Sequence, residues 1–502
     1  LTFKILVMNK LFRNIIGLSL FAILGLGITG CNKFLDLLPE NSQTSDMYWN
    51  NKEDVEAVVF SLYKGMQGCL EQYVEWGELR GDALELSDKA TQNEQDIVDL
   101  QIHSDNGICN WANLYTVIGR ANSIIKYAPT VLEKDPTFLP EVLNSYLAEA
   151  KFARALSYYY LVRTFQEVPL VLEPYVDDHE PFMKAKTTER AVLDQILDDL
   201  HSILKTIKPG YGTVAQNKGR ATKWAAYALL ADVCLWDEKY QECIDACDEI
   251  FKSNSYTLVD KNLWFEIFWP GNSSESIFEL QWGVNTGGNN SLPDWFYTSP
   301  RYTVSQTTIE LFYKYRETDT RGENVTFVAD NNKVWKFIGS KPYYSSDAQR
   351  TGNNKYSNWI FYRLPDIYFM KAEALVMLKN NTEGYKEAHE LVKAIRERAG
   401  FTMHPEIPDN EKDALEMIMN ERLCEFVGEG KRWFDILRVA HRENFKYKDM
   451  LIELLLKNIS AKYRPIYLQK LQDTRGYYLP IAQKEIEANS GVLIQNPYYN
   501  ED

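Results

Sequence analysis

Through most of the chain apolar residues recur at steps of three and four, with small residues interspersed where two helices would pack closely. Residues 141–165 carry Leu143, Tyr146, Leu147, Ala150, Ala153, Ser157 and Tyr160 in this register and stop before Pro169. A partner helix is predicted from about Thr187, an N-cap candidate, to Ile207, just ahead of Pro209-Gly210. The arrangement returns in the alanine-rich stretch 221–235, which is followed across Glu238-Lys239 by the stripe Tyr240, Ile244, Cys247 and Phe251. It returns again in 366–378, with Ile367, Met370, Ala374 and Met377. The next stripe is Tyr385, Ala388, Val392, Ile395 and Ala399, where Gly400 provides the stop. An earlier pair is expected from residues 52–68 and 111–127, across a long intervening segment.

Four helix pairs with small contact residues predict an all-α dominated fold, in which tetratricopeptide-like pairs stack into a superhelical scaffold. Their unequal spacing calls for long loop-rich insertions and minor β-strands rather than a free-standing repeat array. The largest insertion is placed at about 254–360, where Gly, Asn, Ser, Pro and aromatics replace the helical pattern and the alternating run 276–281 reads as strand. Six of the twelve tryptophans fall there, so some of them are expected to be core.

Composition narrows the function. At 45% hydrophobic and 25% charged the 502-residue chain is too apolar for disorder. Its 55 basic against 70 acidic side chains give a formal charge of -15, which offers no basic field for a nucleic-acid partner. No Gly-rich phosphate loop, nucleophile elbow or HExxH occurs, and the six His and seven Cys show no paired metal spacing, so neither cofactor nor metal is expected.

The N-terminus carries an address. Lys10 and Arg13 precede fourteen uncharged residues, Ile15 to Ile28, and then Thr29, Gly30 and Cys31. This is too short to span a bilayer but has the charge, apolar run and small residues of a signal peptide, assigned to residues 1–30. Ile28-Thr29-Gly30-Cys31 resembles a bacterial lipobox, which makes Cys31 the expected lipid anchor. Without its first thirty residues the chain has 52 basic and 70 acidic groups, a formal charge of -18. The remaining cysteines, Cys243 and Cys247 above all, are expected to be small core residues rather than a redox site.

Several blocks in order along the chain resemble the SusD/RagB nutrient-binding lipoproteins of Gram-negative outer membranes. They begin with Phe34-Leu35-Asp36 and Pro39 after Cys31, then Ala148-Glu149-Ala150-Lys151-Phe152 with Arg154-Ala155, and Val168-Pro169-Leu170. Arg363, Asp366 and Ala372-Glu373-Ala374 follow, with Arg396, Arg398, Ala399 and Gly400. The sharpest block is Glu421-Arg422, Glu425-Phe426, Gly428-Glu429-Gly430, Arg432, Phe434-Asp435 and Arg438, and the tail from Tyr478 to Pro497 completes the series. Ala482 and Tyr498 depart from the pattern at a turn. The resemblance implies a single domain over residues 31–502, anchored through Cys31 in outer-membrane lipid. It also implies a SusC-like TonB-dependent transporter as partner, a captured glycan as ligand, a lid role, and binding without catalysis.

A pyranose has an apolar face that stacks on Trp or Tyr and a hydroxyl rim that needs Asp, Asn, Gln or Arg. Two clusters meet that description. The first is Tyr73, Trp76, Glu78, Arg80 and Asp82, where Arg80-Gly81-Asp82 also reads as a structural turn. The second is Trp282, Asn285, Asn289, Asn290, Asp294, Trp295, Tyr297, Arg301 and Tyr302 around Gly287-Gly288, with burial an alternative for Trp282 and Trp295. Tyr343-Tyr344, Asn353, Asn354 and Trp359 form a weaker third. Peptide or another nutrient is the alternative cargo, and a pure assembly scaffold is a further alternative. Glu421, Glu425 and Glu429 lie one helical turn apart and invite a glycoside-hydrolase reading. Arg422, Arg432 and Arg438 nearby favour instead an ion-pair network that ties the C-terminal helix to the scaffold.

Overall fold

The computed structural model describes residues 48–175, 183–283, 288–314, 319–344 and 346–500. The signal segment and Cys31 lie outside these residues, as does Asn285. From Asn51 onward the chain packs as one unit.

The helices before the large insertion are α1 (Lys52–Gln67), α2 (Leu70–Glu78), α3 (Gln92–Val98), α4 (Ala112–Tyr127), α5 (Pro140–Phe165), α6 (Glu189–Ile203), α7 (Val214–Gly219), α8 (Lys223–Trp236) and α9 (Tyr240–Lys252). Helix α10 (Gln306–Tyr313) lies within the insertion. After it come α11 (Leu364–Lys379), α12 (Thr382–Arg398), α13 (Glu411–Phe426), α14 (Arg432–Phe445), α15 (Lys448–Lys457), α16 (Arg464–Leu471) and α17 (Gln483–Ala488). The four expected pairs are all present: α1 packs on α4, α5 on α6, α8 on α9 and α11 on α12. They continue into one another, since α4 also packs on α5 and α9 on α11.

Local chemistry sets the ends. Asn51 and Asp54 close a capping box on α1, and Gly400, at φ 101°, follows α12 in the left-handed region that favours glycine. The N-cap of α6 is Thr188 rather than Thr187: its hydroxyl accepts the Ala191 amide, while Thr187 donates its own amide to the Val168 carbonyl. The sequence pattern missed this because two adjacent threonines compete and only the backbone pairing of Thr187 decides between them.

Two small antiparallel sheets tie the insertion to the scaffold. Strand β1 (Leu84–Leu86) pairs with β3 (Tyr302–Val304), Leu84 lying opposite Val304. Strand β2 (Ser276–Leu280) pairs with β4 (Trp359–Arg363), and every residue of both strands is buried. The expected strand at 276–281 is therefore real, although buried on both faces. Trp264, Trp282, Trp335 and Trp359 are core. All six cysteines among the described residues are buried unpaired thiols, as expected for structural positions.

The Glu421, Glu425 and Glu429 ladder is an ion-pair network, but its partners differ from those the sequence suggested. Glu421 is held by Arg321 and Arg396 at 2.6 and 2.8 Å. Glu425 meets Arg321 at 2.8 Å and also Arg363 and Arg398. Glu429 meets Arg363 at 2.9 Å and Lys336 at 2.7 Å. Arg422 turns to Asp435, Arg432 to Asp82, and Arg438 to Glu373 and Asp435. Residues near each other along a helix cannot all point to one side, so the two charge series serve different neighbours. Burial alone would raise the Glu429 carboxyl, but Arg363 and Lys336 hold it at about 2.

Helix α2 and the turn before α14 touch backbone to backbone. A Cβ on Gly77 would lie 1.9 Å from the Gly430 carbonyl oxygen, so the contact admits only glycine at that position. Beside it the buried Glu78 carboxyl accepts the amides of Gly430 and Lys431 at 2.8 and 3.2 Å. Desolvation outweighs those bonds and pushes the carboxyl up to about 8. Because its folded value exceeds the unfolded one, the folded chain binds this proton more tightly, and the contribution is lost as pH rises from about 4.5 towards 8. Glu78→Gln, which mimics the protonated acid, is expected to remain at least as stable as the parent at pH 7. Denaturant unfolding across that window should show a flatter pH dependence in the variant, and a large loss at pH 7 would mean that the charged form is native.

Candidate functional site

The first predicted cluster belongs to the core. Tyr73, Trp76, Glu78, Arg80 and Asp82 are all buried. Trp76 donates to the Ile108 carbonyl at 2.8 Å, Tyr73 packs against Tyr160 and Phe361, and Asp82 takes a two-point ion pair from Arg432. Arg80 lies over the Trp433 ring and donates to the Tyr477 carbonyl. Arg80-Gly81-Asp82 is thus the structural turn rather than a ligand contact. Its aromatics read as loop residues because α2 is a short helix without an N-terminal side-chain cap and gives little sequence signal.

The second cluster divides into support and surface. Trp282 and Tyr302 are buried, and Arg301 is committed to Glu71 and Glu75 at 2.6 and 2.9 Å and to Glu94. Burial would raise Glu94, but hydrogen bonds from Arg301 and Tyr302 hold it below the usual carboxylate range. This tether clamps β3 to α2 and α3. The Arg301 guanidinium lies 5.2 Å from the centre of the Trp295 ring, so the charge supports the tryptophan.

Trp295 and Tyr297 sit half-buried on one wide turn of helix, Asp294–Thr298. Tyr297 packs edge-on to Trp335 at 5.0 Å, and Tyr343 packs on the same tryptophan at 4.9 Å. Trp335 is fully buried among Phe265, Val328, Ile338 and Ala348. Lys333 reaches over the Tyr297 ring at 5.3 Å. Tyr344, beside Tyr343, is 83% exposed.

The second and third predicted clusters therefore form one surface. Asn289 donates to the Gly352 carbonyl at 2.9 Å and Asn290 to that of Ser357 at 2.6 Å, while Lys355 is ion-paired with Asp294. These bonds bring the exposed turn Gly352–Asn354, with Asn353 and Asn354, against the loop that bears Trp295. Trp359 does not join them, being buried in β4. What the sequence missed is the pair of organising residues, Trp335 and Arg350. The buried Arg350 guanidinium donates to the carbonyls of Phe337, Ile338, Asn354 and Tyr356 and to the Ser357 hydroxyl. It fastens the segment bearing the polar rim to the segment bearing Trp335. A lone arginine in a loop carries no periodic signal for such a role.

The arrangement offers two partly exposed aromatic groups, Trp295 over Arg301 and Tyr297 with Tyr343 on Trp335, together with a rim of amides and charges. It can stack an apolar ring face and hydrogen-bond a hydroxyl edge. Among the described residues no group of His, Cys, Asp and Glu is placed to hold a metal ion, and no helix is long and apolar enough to cross a membrane.

Comparison with known proteins agrees with the fold. The family model described as "SusD family" matches residues 328–499, and one described as "Starch-binding associating with outer membrane" matches residues 33–235. SusD-like protein P38 of Formosa agariphila is 27% identical over 480 residues, covering 86% of this chain and 92% of the relative. A SusD-like protein of Bacteroides ovatus is 24% identical over 94% of each chain. Among solved structures, a SusD superfamily protein from Bacteroides fragilis superposes with a TM-score of 0.72 at 19% identity, covering 90% of this chain and all of that one. One from Parabacteroides distasonis gives 0.71 at 22% identity, with 89% and 99% coverage. Two family matches at opposite ends of the chain, relatives aligned over most of its length and the shared helical architecture lead to one conclusion: the chain belongs to the SusD/RagB family.

Proposed function

We propose that the chain captures oligosaccharide or polysaccharide at the cell surface and passes it to a SusC-like TonB-dependent outer-membrane transporter, over which it acts as a lid. The observation that carries this reading is the joining of the insertion's loops, which brings the turn bearing Asn353 and Asn354 against the loop of Asn289 and Trp295, with Tyr297 and Tyr343 held nearby in the chain on Trp335. Membership of a family whose matching model is described as starch-binding and associating with the outer membrane supports both cargo and place. Attachment through a lipid on Cys31 completes the proposal, with the transporter as partner.

Binding without turnover fits the chemistry of the carboxylates. Glu421, Glu425 and Glu429 are buried and matched by cations, so none presents a proton or a nucleophilic oxygen to a bound sugar. On this proposal the glycan contacts are Trp295 and Tyr297, with Asn285 a further contact on the same loop. Arg301 supports the Trp295 ring and Tyr302 packs on Phe296 of the same turn, while Trp282 is part of the core.

Replacing Trp295 and Tyr297 together by alanine is expected to weaken glycan binding by about tenfold or more, since each stacked ring contributes about 0.5–1.5 kcal/mol. The melting temperature should change little because both rings are half exposed. Calorimetric titration of parent and double variant with the same oligosaccharide checks this, and equal affinities would remove the surface as the binding site.

A further inference from the structure

A cleft of about 330 Å³ opens between the first turn of α4, the α17 segment and the chain just before α6. It has room for roughly eleven water-sized groups, which is the low end for a small-molecule site. Its walls include Trp111, Tyr115, Pro169 and Leu493, and Lys184 and Glu485 bring one charge of each sign. None of its described lining residues belongs to the insertion.

The hydroxyl and amide donors around the cleft are already committed. Tyr115 donates its hydroxyl to the Pro169 carbonyl at 2.7 Å, and Thr116 donates to the Ala112 carbonyl at 3.0 Å. Asn489 accepts the Lys184 backbone amide at 3.2 Å and donates to the Glu485 carbonyl at 3.0 Å. The charges are not committed: among the described residues neither the exposed Lys184 ammonium nor the half-buried Glu485 carboxylate has an ion-pair or hydrogen-bond partner. Trp111 is only 3% exposed, and its indole N–H donates to no described residue. Helix α4 starts at this wall with no capping side chain from Trp111 and no acidic residue in its first turn, so its positive end is open to an anion.

We infer that this cleft binds a free α-amino acid with an apolar side chain. The ligand carboxylate meets Lys184 and the start of α4, its ammonium meets Glu485, and its side chain packs on Trp111, Tyr115 and Leu493. Charge complementarity commits the cleft to this occupant. A sugar needs neutral donors for its hydroxyls, and those of Tyr115, Thr116 and Asn489 are in use. A zwitterion needs two opposite charges beside an apolar wall, and these are what the cleft has to spare. The inference does not rest on glycan capture, since neither the aromatic groups of the insertion nor their rim take part.

The test is calorimetric titration of the full chain with L-phenylalanine, phenylalaninamide and N-acetylphenylalanine. Saturable binding of L-phenylalanine is expected, with affinity lower by about tenfold or more for each derivative, since each lacks one charge-assisted contact. Glu485→Gln should weaken L-phenylalanine about tenfold and leave N-acetylphenylalanine unchanged, because that compound has no ammonium to lose. Lys184→Gln should weaken L-phenylalanine likewise and leave phenylalaninamide unchanged. Neither side chain is buried, so thermal melts of both variants should match the parent. Oligosaccharide binding should be the same in parent and variants, which keeps this inference separable from glycan capture. No binding of L-phenylalanine, equal affinity for all three compounds, or unchanged L-phenylalanine affinity in both variants would overturn the inference. Loss of oligosaccharide binding in Glu485→Gln would assign the cleft to sugar, and would also overturn it.

Discussion

Replacing Arg363 by alanine is expected to destabilise the chain by about 3–5 kcal/mol, which approaches the whole stability of an ordinary domain. Arg363 is fully buried at the end of β4 and the start of α11. Its guanidinium meets Glu275 and Glu429 at 2.9 Å each, also Glu425, and donates to the Glu425 backbone carbonyl. Removal leaves three buried carboxylates short of a cation, and the cost of an uncompensated buried charge far exceeds that of a lost surface pair. Arg363→Lys restores the charge but not the fork of donors, so it should recover only part of the loss. Acid should act on this network and on the Arg438 cluster beside it. Arg363 and Lys336 hold Glu429 at about 2, and Arg438 and Arg442 hold Glu373 at about 2, both below their unfolded values. The stability they contribute is present above about pH 4.5 and is lost as pH falls from there towards 2. Denaturant unfolding of parent, Arg363→Ala and Arg363→Lys measures this, and a change under 1 kcal/mol for the alanine variant would show that the ladder does not hold the scaffold together.

Replacing Trp335 by alanine is expected to cost about 3–5 kcal/mol, as for other buried aromatic truncations, but the loss should concentrate in the insertion. The indole fills the centre of the insertion's own hydrophobic cluster and donates to the Lys341 carbonyl at 2.8 Å. Tyr297 and Tyr343 both rest on it. Removing it takes the support from two of the aromatic rings of the binding surface, while the helix pairs keep their contacts. Far-ultraviolet circular dichroism should stay helical and glycan binding should disappear. Hydrogen exchange should rise in the insertion with the α11–α12 pair unchanged. Full retention of binding would show that the surface does not depend on that core.

Most of the scaffold is legible in the sequence because helix periodicity is a local signal. The pairs α5–α6, α8–α9 and α11–α12 begin and end close to where Pro169, Pro209-Gly210 and Gly400 place them. The site was legible only in part. Trp295 and Tyr297 stand out by residue type and lie half-exposed, but Tyr73, Trp76 and Asp82 share the same residue types and are buried. What separates the two sets is long-range: Asp82 is fixed by Arg432, and Arg301 by glutamates on α2 and α3. The same distance effect explains the Glu421 ladder. Glu421 and Glu425 are plain in α13 and Glu429 follows in the turn after it, while Arg321, Arg363, Arg396 and Arg398 come from segments whose approach no local pattern reveals.

Glycan capture by the insertion surface is the central claim. Its most direct test is calorimetric titration of the chain with a panel of polysaccharides, oligosaccharides and peptide mixtures, with each mixture then analysed for cleavage products. The account predicts saturable binding of one glycan class, recovered uncleaved; binding confined to peptides, or release of shorter sugars from a bound glycan, would contradict it.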